Sequence, residues 1–145
     1  MSLADIYDIS GSAMRAQTVR MNTIASNLAN ANSASATEEG AFRALKPVFM
    51  SIYEKMDIDG GQSRERVSSA KVAVLDVIES NRPVDQRYEP GNPLANADGY
   101  VYYSNVNTME EMADMMSASR SFQTNIEVMG RINSMKQSLL RLGQM

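Results

Sequence analysis

Every proline of this 145-residue chain lies in its middle. Pro47, Pro83, Pro90 and Pro93 fall between two long proline-free segments, and most of the glycines lie with them. Proline has no backbone N–H and its ring clashes with the preceding helical turn, so a continuous helix through that middle is excluded. The flanks carry no such bar. From Ser12 to Ala36 neither glycine nor proline interrupts the chain, and from Thr108 to Leu142 only Gly130 does. This arrangement predicts an α+β fold, with two long terminal helices enclosing a small β-rich module.

Periodicity fills in the flanks. Met14, Gln17, Met21, Ile24, Leu28 and Ala31 recur at alternating steps of three and four, a heptad-like stripe on one helix face. Ile6, Ile9 and Ala13 extend a neighbouring face, while Arg15, Arg20 and Thr23 fall largely off the stripe. At the other end, Thr108 and Glu111 have the spacing of a capping box. Met112, Met116, Ser119, Phe122, Ile126, Met129, Ile132, Met135, Leu139 and Leu142 follow with a near-helical period. Arg141 and Gly143 stand where a helix stop is written. At 1.5 Å per residue that helix would be roughly 50 Å long. The expected organisation is an N-terminal helical segment over 1–36, a β-rich insertion over 37–107 and a C-terminal helical segment over 108–145.

Within the insertion, Val48–Tyr53, Val72–Ile78 and Tyr100–Val106 read as strands. YEPGNP (88–93) is a dense turn signal, and Asp98-Gly99 predicts a second turn before YVYY. The polar stretch from 56 to 70 reads as a mobile loop.

Absent residues narrow the chemistry. There is no cysteine and no histidine, which rules out disulfides, zinc-thiolate sites and any Ser-His-Asp or Cys-His arrangement within this chain. Asp57 and Asp59 in DIDGG have the opening spacing of a calcium loop. The glycines come too early, however, and no glutamate stands at the twelfth position, so a turn is the better reading. Neither a metal nor a cofactor is expected. Net charge is −3 with both signs interspersed, which gives no footprint for nucleic acid, and no constellation for a small-molecule substrate stands out. MSLADIYDIS carries Asp5 and Asp8 in place of a basic n-region, so a Sec-type signal peptide is not expected. No apolar run is long enough to span a bilayer.

Isolated helices of this length are marginal in water unless their apolar stripes are covered. Pairing the two helices as a coiled-coil-like hairpin is the direct remedy. It leaves outer faces rich in Ser, Ala, Asn, Thr and Gln (IASNLANANS; SASRSFQTN), which let further helices approach closely. Twelve methionines add adaptable packing. An ordinary hairpin with a bland surface and a Met-rich core is the plainer alternative. In ASNLANANS (25–33), Asn27 and Asn30 flank the stripe one turn apart, placed to bond across to a neighbouring helix or to the following turn. Asn32 is placed to end the helix, and a purely capping role for all of these amides stays open.

ASNLANANS, preceded by GSAMRAQTVRMNTI, resembles the N-terminal signature of the bacterial flagellar axial proteins, the rod, hook and their relatives. MSASRSFQTNIEVMGRINSM (116–135) is similar to their C-terminal helix. KVAVLDVIES and YEPGNPLANADGYVYYSNVN (88–107) resemble the short proximal rod subunits of the basal body. The chain departs from that pattern at Ser104, where a proline is usual, at Phe42-Arg43, where Tyr is commoner, and over 54–71.

The resemblance implies a structural protein, not an enzyme, exported by the flagellar type III apparatus without a cleaved signal. It implies a place in the rod as it crosses the periplasm, near the MS-ring region. The partners implied are other copies of the chain and the other proximal and distal rod proteins. Its terminal helices would polymerise into a helical tube that transmits torque. The packing residues implied are Met14, Met21, Ile24, Asn27, Leu28, Asn30, Met112, Met116, Arg120, Phe122, Gln123, Ile126, Met129, Ile132, Met135 and Leu139. The competing reading is a secretion-associated coiled-coil adaptor or cap protein.

Overall fold

The computed structural model describes residues 3–57 and 65–143. The element order is α1 (Leu3–Ala29), β1 (Ala34–Ser35), β2 (Leu45–Asp57), β3 (Glu65–Glu79), β4 (Asp85–Tyr88), β5 (Tyr100–Tyr103) and α2 (Thr108–Leu142). The fold is α+β, with a helix toward each end and two small sheets between them. By its internal contacts the chain divides into two compact units. The first comprises Met1–Val19, Phe49–Leu75 and Ala118–Met145, the second Arg20–Val48 and Asp76–Ser117. Both helices and both long strands contribute to each unit.

In the first unit, small residues of α1 are buried, Ser12 and Ala16 on one face and Ser10 roughly opposite them. Ala118 and Ile132 of α2 are buried as well. Ser12 Oγ accepts the Val72 N–H of β3 at 3.2 Å and donates to the Ile9 carbonyl at 2.8 Å. A strand backbone can come this close to a helix only over side chains as short as Ser12 and Ala16. An open groove of about 360 Å³ runs here, lined by Ala16, Val19, Ile52, Val72 and Val74 with Arg15 and Lys71 among its lining residues.

In the second unit, a three-stranded antiparallel sheet has the order β1-β5-β4. Val101 at its centre is fully buried. β4 (DQRY) is an exposed edge strand. Neither its charged sequence nor the two residues of β1 carries a strand signal, and pairing with β5 alone makes them strands.

The helix bounds differ from the sequence expectation at one end only. The uninterrupted pattern to Ala36 predicts a longer α1, but the helix stops at Ala29. Asn30 N–H donates to Ser26 O and Asn27 O, and Ala31 N–H to Leu28 O, tightening the last turn. Ala34 and Ser35 then pair with Tyr103 and Tyr102, in the extended backbone that a helix continued to Ala36 would exclude. α2 begins at Thr108, but its cap is the residue before it. Asn107 Oδ1 accepts the N–H groups of Met109 (3.1 Å) and Glu110 (3.3 Å), in place of the predicted Thr108–Glu111 box. β2 and β3 also run beyond their predicted cores, to Asp57 and from Glu65. Residues 58–64 of the predicted loop lie outside the described residues.

Candidate assembly surfaces

The amides that mark the end of α1 hold their own chain. Asn27 is 1% exposed. Its Oδ1 accepts the Leu45 N–H at 2.8 Å and its Nδ2 donates to the Leu45 carbonyl at 2.9 Å, bracketing the first residue of β2 from both sides. Asn105 completes the junction from the other end of the sequence. Its Oδ1 accepts the Ala44 N–H at 2.7 Å, and its Nδ2 donates to the Arg82 carbonyl at 2.7 Å. Ser80 N–H donates to the Ala44 carbonyl at 2.7 Å. Four consecutive backbone groups of Ala44-Leu45 are thus satisfied by residues far away in sequence. Asn30 turns back on α1, donating to Ser26 O at 2.8 Å, and Asn32 is exposed.

Charge pairs link elements of the same unit. Arg20 of α1 meets Asp114 of α2 at 2.7 Å. Arg82 forks onto Glu110 (2.8 and 3.5 Å), with Lys46 at 3.8 Å. The Arg82 guanidinium holds the Glu110 carboxyl below its ordinary range, chiefly through the hydrogen bond and then through its charge. In the β4–β5 connection, Asn96 Oδ1 accepts the N–H groups of Asp98 and Tyr100, and Gly99 adopts a φ of 82°. Tyr103 donates its hydroxyl to Glu89 while Arg87 lies 4.7 Å over its ring. The hydrogen bond to Glu89, aided by desolvation, raises the Tyr103 phenol.

The predicted packing residues fall into two groups by exposure. On α1, Ile24 and Asn27 are buried and Met14, Met21 and Leu28 are half-buried, as is Asn30 just past its end. The deepest face of α1 runs instead through Ser12, Ala16, Thr23 and Asn27, to one side of the apolar stripe. On α2, Ile132 is buried, and Phe122 and Met129 are half-buried. Met112, Met116, Ile126, Met135 and Leu139 are between 49% and 58% exposed, and Arg120 and Gln123 are also exposed. Spacing explains the first part of the division. The row from Met112 to Leu142 advances by a little under 3.4 residues per step, and at about 100° per residue it drifts by roughly two thirds of a turn. It begins on an outer face at Met112 and Met116 and reaches the buried side at Met129 and Ile132. From 133 to 143 every residue is exposed, so Met135 and Leu139 are bare although Leu139 lies within about 20° of Ile132 around the helix.

Sequence reasoning missed Asn105 and Asn107. Their signal was available: NVN sits directly before a helical period, where an amide caps the helix and a second can reach back. It also missed the pairing of Arg20 with Asp114, which no local spacing encodes.

Comparison with known proteins matches both helical regions. Residues 8–35 fit the family model described as flagella basal body rod protein, and residues 97–142 fit that of the flagellar basal body rod FlgEFG protein C-terminal region. The chain is 46% identical over 144 residues to the flagellar basal-body rod protein FlgC of Salmonella typhimurium, covering 99% of this chain and 100% of that protein. It is 40% identical over 144 residues to FlgC of Yersinia enterocolitica, and 30% identical over 143 residues to FlgC of Bacillus subtilis. With the buried asparagine of the signature seated on its own strand and similarity extending end to end, the chain belongs to the FlgC family of flagellar basal-body rod proteins.

Proposed function

We propose that this chain is a structural subunit of the proximal rod, polymerising through its terminal helices into a helical tube that transmits torque. The observation that carries this reading is the outer surface of α2. Six of its large apolar side chains stand about half exposed, and Met109 and Leu142 are 75% and 70% exposed. Exposed apolar side chains in that number, spread around the helix, mark interaction surface. Repeated contacts that do not close on themselves would cover it in a polymer. The Arg20–Asp114 link supports pairing of α1 with α2 as a coiled-coil-like hairpin, with 1–36 and 108–145 as the axial segments and 37–107 as the insertion. The packing role of Asn27 in this reading is indirect: it sets where α1 ends and β2 begins.

The family supports the remaining parts of the proposal. The partners are further copies of this chain and the other rod proteins, with the MS-ring region at the base. The type III apparatus is the export route, and the rod's passage through the periplasm is the location. The deciding experiment is electron microscopy of purified basal bodies carrying a labelled copy of the chain. Label in the membrane-proximal part of the rod is expected. A soluble one-to-one complex with a partner, and no label in the rod, would overturn the reading in favour of an adaptor.

A further inference from the structure

The two ends of one contact stand unpartnered on the same chain. After Glu127 the sequence carries Arg131, Lys136 and Arg141 and no carboxylate side chain. Arg131, Met135, Leu139 and Leu142 follow at steps of four, four and three, so they share one face of α2, with Lys136 toward its other edge. Met135, Leu139 and Leu142 are 55%, 54% and 70% exposed. The three cations make no ion pair among the described residues. Elsewhere, Asp76–Glu79 at the end of β3 are all exposed, Val77 at 38% and Ile78 at 50%. Because side chains alternate along a strand, each face there presents one aliphatic and one acidic group. Among the described residues, Asp76 accepts its neighbour Val77 N–H and neither carboxylate has a cationic partner.

We propose that the last turns of α2 dock on the Asp76–Glu79 end of β3 in a second copy of the chain. This rests on the reading of the chain as a rod subunit. The occupant follows from complementarity: three unpaired cations flanking an aliphatic stripe meet two unpaired carboxylates flanking aliphatic side chains. Self-pairing of two α2 ends would set cations against cations, which disfavours a closed symmetric dimer. Since the two surfaces differ, each docked copy keeps one of each free, so the contact is heterologous and can repeat from copy to copy through an array. The stripe offers on the order of a few hundred Å², well under the roughly 1,200 Å² at which stand-alone complexes begin. The contact therefore forms within the array and not between free monomers.

The absence of cysteine makes the test direct. One copy carrying Leu139→Cys and another carrying Val77→Cys are produced together, and their basal bodies are oxidised mildly. A disulfide-linked dimer of the two variants is expected, absent from the free monomers. If both variants are in the rod and no dimer forms, the docking is wrong while the rod reading stands. If the wild-type chain is not in the rod, that reading fails first. Charge reversal gives a second readout. Arg131→Glu with Lys136→Glu should abolish motility, and Asp76→Lys with Glu79→Lys should restore it. Full motility without the second pair, or no restoration with it, overturns the proposal.

Discussion

At the scale of single residues, the amide of Asn27 does work that its place in a helix does not advertise. It is a poor helix former, retained where its two polar atoms match the N–H and C=O of one strand residue. Replacing it with leucine, which favours helix, should keep the helical circular dichroism of the chain. It should nevertheless lower stability by about 1–3 kcal/mol in urea unfolding, because two backbone groups of Leu45 lose their partner, and motility should fall with it. An unchanged unfolding midpoint would show that the bracket around Leu45 carries no weight. Gly99 is the second such residue. Its φ is 82°, and an added Cβ would lie 2.8 Å from Tyr88 Cε2 and 3.3 Å from Pro90 Cβ. Gly99→Ala is expected to cost about 1–3 kcal/mol by the same measurement, from left-handed backbone strain and displacement of the Tyr88 ring. The Asp98-Gly99 turn was legible because the dipeptide is a local signal. The partner of Asn27 was not, since Leu45 is eighteen residues away and nothing in ASNLANANS names it.

At the scale of elements, the start of α2 separates two readings of one sequence. The spacing Thr108–Glu111 predicts one cap and the geometry shows another. Asn107→Ala should therefore destabilise the chain by about 1 kcal/mol, with Thr108→Ala costing clearly less, as read from thermal unfolding of both variants. The neighbouring Glu110 adds a pH signature. Its carboxyl is held below its ordinary value of 4.5 by Arg82. A depressed carboxylate contributes stability above the unfolded value and loses it as pH falls through the folded one. The stability gap between the wild type and Glu110→Gln should therefore be present at neutral pH and shrink below about pH 4.5. It should also narrow in high salt, because the pair faces solvent. A gap that stays constant into acid would remove the ion pair as its cause. The element types of both helices and of β2, β3 and β5 were legible from period and composition. β1 and β4 were not, because a two-residue and a charged four-residue strand exist only through the neighbour that pairs with them.

At the scale of the whole molecule, the chain buries some of the apolar residues of α2 and leaves others exposed. Ile132 is buried, whereas Met135, Leu139 and Leu142 on the following turns are exposed. In a dilute monomer the amides from Met135 to Leu142 should exchange faster than those around Ile132. In assembled rods they should become protected. Strong protection of the last turns in the dilute monomer would count against a surface reserved for assembly. By itself the sequence determined the α+β class, the two terminal helices, the exclusion of thiol and histidine chemistry and the family resemblance. Each of these rests on local period, on residue types present or absent, or on a contiguous motif. Only the tertiary structure decided that α1 stops at Ala29, that Asn27 and Asn105 meet at Ala44-Leu45, and which members of the α2 row face outward. Those outcomes depend on which distant backbone groups compete for a hydrogen bond and on how far along α2 other elements pack against it, and neither is written in neighbouring residues.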